Sequence, residues 1–319
     1  MIFQATKYYQ IAILITFVFI VLVPLLSNGF VDFFWGFWVL TLGILHGAND
    51  LQIISKSFKG KLNNLYFKSI VVYILIVLLG AVFFFTLPGL ALIIFVLFSS
   101  YHFGEEHWED RLSISASHFA LYSLYGSFIF FLMFTLQYES VVEVIEKISG
   151  HQLDFEFFLY TAVILGGVLF TSMLFNSSTR PHLIKECLLL LLLAGIFYVG
   201  SLLFAFAFYF VVWHSFPSLM NQLKFLYGTM NFKSFLRYFK HSVIYWLASL
   251  ISLYLVYRYV DFEADYFMHL FFSFLAAITF PHTVVMGMMK HKNGWIERVL
   301  NMIENSKFVL IKLDRCLIA

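Results

Sequence analysis

Apolar stretches of about 15–22 residues recur from one end of this 319-residue chain to the other, and a run of that length is what a helix needs to cross a bilayer. About ten can be picked out, near residues 9–26, 31–48, 69–87, 90–104, 116–137, 158–175, 183–199, 201–216, 241–258 and 266–284. Only 12% of residues are charged, half of the roughly 25% a soluble domain uses to coat its surface. Backbone groups in lipid must be satisfied within the protein, so long uninterrupted apolar runs read as helices. The predicted fold is all-α: a polytopic transmembrane helical bundle of about ten segments, forming one integral-membrane domain over 1–319. A soluble globular domain is excluded. The first run, Ile11 to Leu26, follows Lys7, contains Pro24 and lacks a small-residue cleavage pattern, so it reads as a retained span. Cys187 and Cys316 are the only cysteines, which leaves no disulfide framework and no cysteine metal site.

Loop charge sets the orientation. The 49–68 loop holds Lys56, Lys59, Lys61 and Lys68, and the 215–240 stretch holds Lys224, Lys233, Arg237 and Lys240 without an acid. The 138–157 and 259–265 loops are acidic. Excess Lys and Arg mark the cytoplasmic side, so both termini are expected there, with the protein multi-pass in the cell (inner) membrane. Residues 215–240 are expected to be a basic, aromatic loop lying on the inner leaflet, and 287–319 a cytoplasmic tail. One acidic loop, with Glu105, Glu106, Glu109 and Asp110, falls on the inner side against the rule. The basic residues sit in short loops, so no nucleic-acid partner is implied by the net charge of +2.

Eleven histidines are many for so apolar a chain, and four of them end even-numbered segments: His46, His102, His214 and His282. That topology brings them to a similar depth near the inner ends of four parallel helices. Ionisable residues at such depth are costly and mark functional interiors. Neutral imidazole is the commonest metal ligand, and bundles build metal sites from facing helices. Four imidazoles without thiolate suit iron, copper, zinc or nickel. Each histidine lies among small or helix-bending residues: HGAND at 46–50, HFGEEH at 102–107, HSFPS at 214–218 and PHT at 281–283. Pro217 and Pro281 weaken helix continuity there. Asp50 and Glu106, each within a turn or so of a histidine, are candidates to orient the rings of His46 and His102. His107 is a candidate fifth ligand or proton relay. The blander reading, histidines resting at the membrane–water boundary, serves for the other six.

HGAND at 46–50, YHFGEEH at 101–107, WHS at 213–215 and PH at 281–282, in that order, resemble the Brp/Blh family of membrane β-carotene 15,15′-dioxygenases. The resemblance spans nearly the whole chain. It implies cleavage of the central double bond of β-carotene with O₂ to two all-trans-retinal, a non-haem Fe(2+) held by histidines, and a functional link to a retinal-binding rhodopsin. It departs from the family at Ser218, where a second histidine is common, and at His107, where aspartate is common. The resemblance therefore leaves His282 or His107 to complete the ligand set, or three histidines plus water, with His46, His102, His214 and His282 as the expected one. For the apolar substrate a cavity lined by Trp35, Trp38, Tyr101, Tyr209 and Trp213 is expected. Two other functions could use the same histidines: a bis-histidine haem cytochrome, or a metal or ion transporter.

Overall fold

The computed structural model describes residues 2–58, 65–112, 118–259 and 267–290. Within them the chain forms thirteen α-helices and no strand. These are α1 (Ile2–Leu22), α2 (Asn28–Trp38), α3 (Asp50–Phe58), α4 (Leu65–Thr86), α5 (Pro88–Trp108), α6 (His118–Leu136) and α7 (Tyr138–Ser149). They continue with α8 (Phe155–Phe175), α9 (Leu183–Val199), α10 (Leu202–Phe208), α11 (Phe216–Tyr227), α12 (Phe232–Tyr259) and α13 (Phe267–Lys290). The protein is a polytopic helical bundle: nine helical stretches among the described residues are long and apolar enough to cross a membrane. The expected segment near 31–48 is not one of the nine. It is α2 continued by a π-helical turn, Val39–Gly43, and it stops at His46.

The element boundaries follow from local chemistry. Pro88 occupies the first turn of α5, where its missing N–H is no loss. The Ser201 side chain accepts a hydrogen bond from the Phe204 amide at 3.0 Å and so caps α10. Gly150 and Gly228 end α7 and α11 with φ of 71° and 77°, the left-handed backbone that favours glycine.

Burial shows which stretch is the axis. In the Leu202–Tyr227 stretch 83% of the apolar window is buried, against 11% for α4 and for α12. The axis comprises α10, a π-helical run Tyr209–Ser215, and α11, with α1, α2, α5, α6 and α9 supplying the surrounding core. The outer faces carry exposed Ile, Leu, Val and Phe, including Leu78, Leu79 and Val82 on α4. Such a surface is satisfied by lipid and not by water.

The 215–240 stretch is not the loop that its composition suggests. It forms α11 and the start of α12, with Ser218, Leu219, Gln222 and Tyr238 buried. The chain stays helical through Pro217 because the π-helical run Tyr209–Ser215 just before it already breaks the regular hydrogen-bond ladder that a proline would disrupt. Most of the expected 287–319 tail lies outside the described residues, as does most of the acidic 259–265 loop.

Candidate functional site

Four helical segments converge on one point. His46 follows the π-turn after α2, His102 lies on α5, His214 lies in the π-helical run, and His282 follows Pro281 inside α13. Each is buried, between 1% and 5% exposed. The rings form a closed circuit. Centroids lie 5.2 Å apart for His46–His214, 4.7 Å for His214–His102, 5.2 Å for His102–His282 and 4.7 Å for His282–His46. Neighbouring planes are 77–88° apart. π-Helical turns widen the backbone and recur at functional sites, and here they deliver two of the four rings. The histidines sit deeper along their helices than sequence position implied. His214 lies near the middle of Leu202–Tyr227, and α13 runs on past His282 to Lys290.

The ring nitrogens divide into held and available ones. His46 Nδ1 bonds the Gly43 carbonyl, and His282 Nδ1 lies 2.9 and 3.1 Å from the Asp50 carboxylate oxygens. Donation of Nδ1–H to these oxygens leaves both Nε2 atoms bare, and neither has a hydrogen-bond partner. His214 Nδ1 and both nitrogens of His102 are likewise buried without a partner. A buried polar atom left unbonded costs about 1–3 kcal/mol, and a ligand that accepts one lone pair from each of the four rings would remove most of that cost here.

Do these residues fit a metal? Among the described residues, no three or more His, Cys, Asp or Glu side chains are placed so that their donor atoms could hold a metal ion as they stand. Ring spacing is a separate matter, because a turn about χ2 re-aims the nitrogens while moving the ring centre little. Imidazoles ligated at about 2.0–2.1 Å around one ion hold neighbouring centroids roughly 4.6–5.3 Å apart. The separations here lie inside that range. The donor set, four neutral imidazoles with no thiolate, fits iron and other imidazole-binding metals.

Asp50 was expected beside His46; it sits instead against His282, and Tyr73 donates to its other side at 2.9 Å. The reason is geometric: Asp50 opens α3, which packs on α13 and α4. Glu106 is also corrected. It accepts from Asn221 Nδ2 at 2.9 Å and pairs with Lys290 at 3.0 Å. Glu105 is the carboxylate nearer His102, at 3.9 Å from Nδ1 and so beyond hydrogen-bond reach. Lys290 also lies 2.8 Å from Glu109 and 3.9 Å from Glu105. This buried cluster explains the acidic exception to the loop-charge pattern: α13 brings a cation to the acids at the end of α5. The same contact fixes α5 against α13 and hence His102 against His282.

His107 belongs to a second cluster. Its ring stacks on Tyr125 at 4.5 Å, and its Nε2 lies 2.8 Å from Glu186 Oε2. Arg111 and Tyr125 hold the same carboxylate at 2.5 and 2.9 Å. That buried network ties α5, α6 and α9 together and leaves His107 committed to Glu186.

Beside the four rings is a mostly apolar cavity, and none of Trp35, Trp38, Tyr101, Tyr209 and Trp213 lines it. Trp35 packs on Phe208, Trp38 against Phe34, and Tyr209 on Phe103; Tyr101 bonds Glu105, and Trp213 bonds Thr16. The walls are instead Phe95 and Ser99 on α5, Phe206 and Phe210 before His214, and Leu275, Ile278 and Thr279 before His282. These lie three, four, seven or eight residues before a histidine, on the same helical face. Counting back along each helix from its histidine would have found them.

A family model described as beta-carotene 15,15′-dioxygenase matches residues 37–290, a stretch that contains all four histidines and every cavity residue just named. The chain belongs to this family. It is a carotenoid-cleaving dioxygenase, an oxidoreductase, in a multi-pass helical membrane protein. No curated protein and no solved structure gives a significant match. Neither a cytochrome nor a transporter is what family membership favours.

Proposed function

We propose that His46, His102, His214 and His282 together hold one Fe(2+), and that the chain cleaves the 15,15′ double bond of β-carotene with O₂, giving two all-trans-retinal. The observation that carries this is the closed circuit of imidazoles from four separate helical segments, with bare buried nitrogens and a metal-compatible spacing. When bound, iron would supply the binding and activation of O₂.

The chain's own residues do the rest. The Gly43 carbonyl and Asp50 each accept an Nδ1 proton, which fixes the tautomer of His46 and His282 and leaves Nε2 as the nitrogen free to bind a metal. Asp50 is fixed in turn by Tyr73. Phe103 covers His214 at 4.4 Å and Phe210 stacks on it at 5.5 Å, so water is kept from that side. A polyene offers no hydrogen-bonding group at its centre, so its placement falls to the shape of the apolar walls. Location in the inner membrane suits a substrate that dissolves in the bilayer. The released retinal would serve a retinal-binding rhodopsin.

Expression in a β-carotene-accumulating bacterium with chromatography of the pigments tests this directly. Retinal should form, and His46→Ala, His102→Ala, His214→Ala and His282→Ala should each abolish it. Carotene unchanged in cells that contain folded protein would defeat the proposal.

A further inference from the structure

The cavity is not sealed inside the bundle. One of its wall residues, Ile74 on α4, is also 51% exposed on the outer face of the protein. Tyr245 and Ser249, one turn apart on α12, are half-buried and line the cavity too. α4 packs on α3, α5 and α13, and α12 packs on α11 and α13, so the cavity reaches the surface where α4 and α12 face each other. Both helices present mostly lipid-facing surface. Across this crevice the hydroxyls of Tyr66 and Tyr245 are hydrogen-bonded to one another.

Taking the cavity as the substrate site, as proposed above, we infer that the carotenoid reaches the histidines sideways from the bilayer through the crevice between α4 and α12, and that the Tyr66–Tyr245 pair latches it. A polyene hydrocarbon partitions into lipid, so a lateral opening spares it an aqueous transfer. One hydrogen bond between lipid-facing hydroxyls is weak enough to break and reform as a substrate passes. Ile74 and Ser249 are then access residues, on helices that carry none of the four histidines.

The test uses the full-length protein in vesicles containing β-carotene, and it reads carotenoid bound per chain by absorbance and cleavage product by chromatography. Ile74→Trp and Ser249→Trp should slow carotenoid loading about tenfold with iron content unchanged. Val163→Trp, at a residue 62% exposed on α8, should load as the wild type does. Tyr66→Phe removes only the latch hydroxyl and should speed loading roughly two- to fivefold. Wild-type loading rates in both tryptophan variants would overturn the proposal. Should those variants misfold, an unchanged rate in Tyr66→Phe would overturn it alone. A wild type that takes up β-carotene yet forms no product contradicts the assigned reaction, while the loading rates still decide the route.

Discussion

Gly104 and Gly126 give the sharpest structural test, because their contacts fix what an added methyl must do. A Cβ on Gly104 would lie 1.9 Å from the Tyr122 carbonyl oxygen, and one on Gly126 would lie 1.9 Å from the Ser100 carbonyl oxygen. Real Cβ contacts essentially never fall under 3.0 Å. α5 and α6 would therefore have to part by roughly 1 Å, and since the obstacle is backbone no side chain can yield instead. Small residues at crossings are what allow helices to approach this closely in membranes. Overpacking of this kind costs about 1–3 kcal/mol or more, against which alanine recovers at most about 1 kcal/mol of helix propensity. Gly104→Ala should lower stability by about 2 kcal/mol in a detergent unfolding titration. Because His102 is two residues away, carotenoid cleavage should fall with it. The matched control is Gly36→Ala on α2, where nothing lies within 4 Å of the new Cβ, and which should be neutral or slightly stabilising. Equal stability for Gly104→Ala and Gly36→Ala would refute the reasoning.

Three further outcomes are expected. Asp50→Asn weakens the acceptor of His282 Nδ1, and iron affinity measured by chelator competition should drop about 10- to 100-fold; unaltered affinity would remove Asp50 from the site. Glu186→Gln breaks a buried network and should cost about 3–5 kcal/mol of stability, while protein that remains folded keeps its iron; loss of iron without loss of stability would return His107 to the metal centre. Phe206→Ala enlarges the cavity beside His214 and should add cleavage products other than retinal to the chromatogram, whereas retinal alone at wild-type yield would take Phe206 out of substrate placement.

The helices were legible from apolar run length, because lipid imposes one length scale on every span. That four histidines from separate helical segments meet was legible from their recurrence beside small and helix-bending residues, but their depth was not, since His214 lies mid-stretch and α13 runs on past His282. What could not be read was which face of each helix meets which neighbour. Asp50 follows His46 by four residues, yet it serves His282 because α3 turns it toward α13. Glu106 has the same history, since its partner Lys290 lies 184 positions away, at the end of a different helix. Aromatics were chosen for the cavity by closeness to the motifs, whereas helical periodicity counted back from each histidine selects Phe95, Phe206, Phe210 and Ile278. The π-helical turns left no mark in composition, so the 31–48 segment read as a full span and the 215–240 stretch as a loop.

X-ray absorption at the iron edge of the purified protein, with iron counted per chain, goes to the centre of this account. One iron per chain surrounded by four imidazoles, with His282→Ala leaving three or releasing the metal, is the result expected. An iron whose imidazole count is unchanged by His282→Ala, or a spectrum showing a porphyrin, would contradict it.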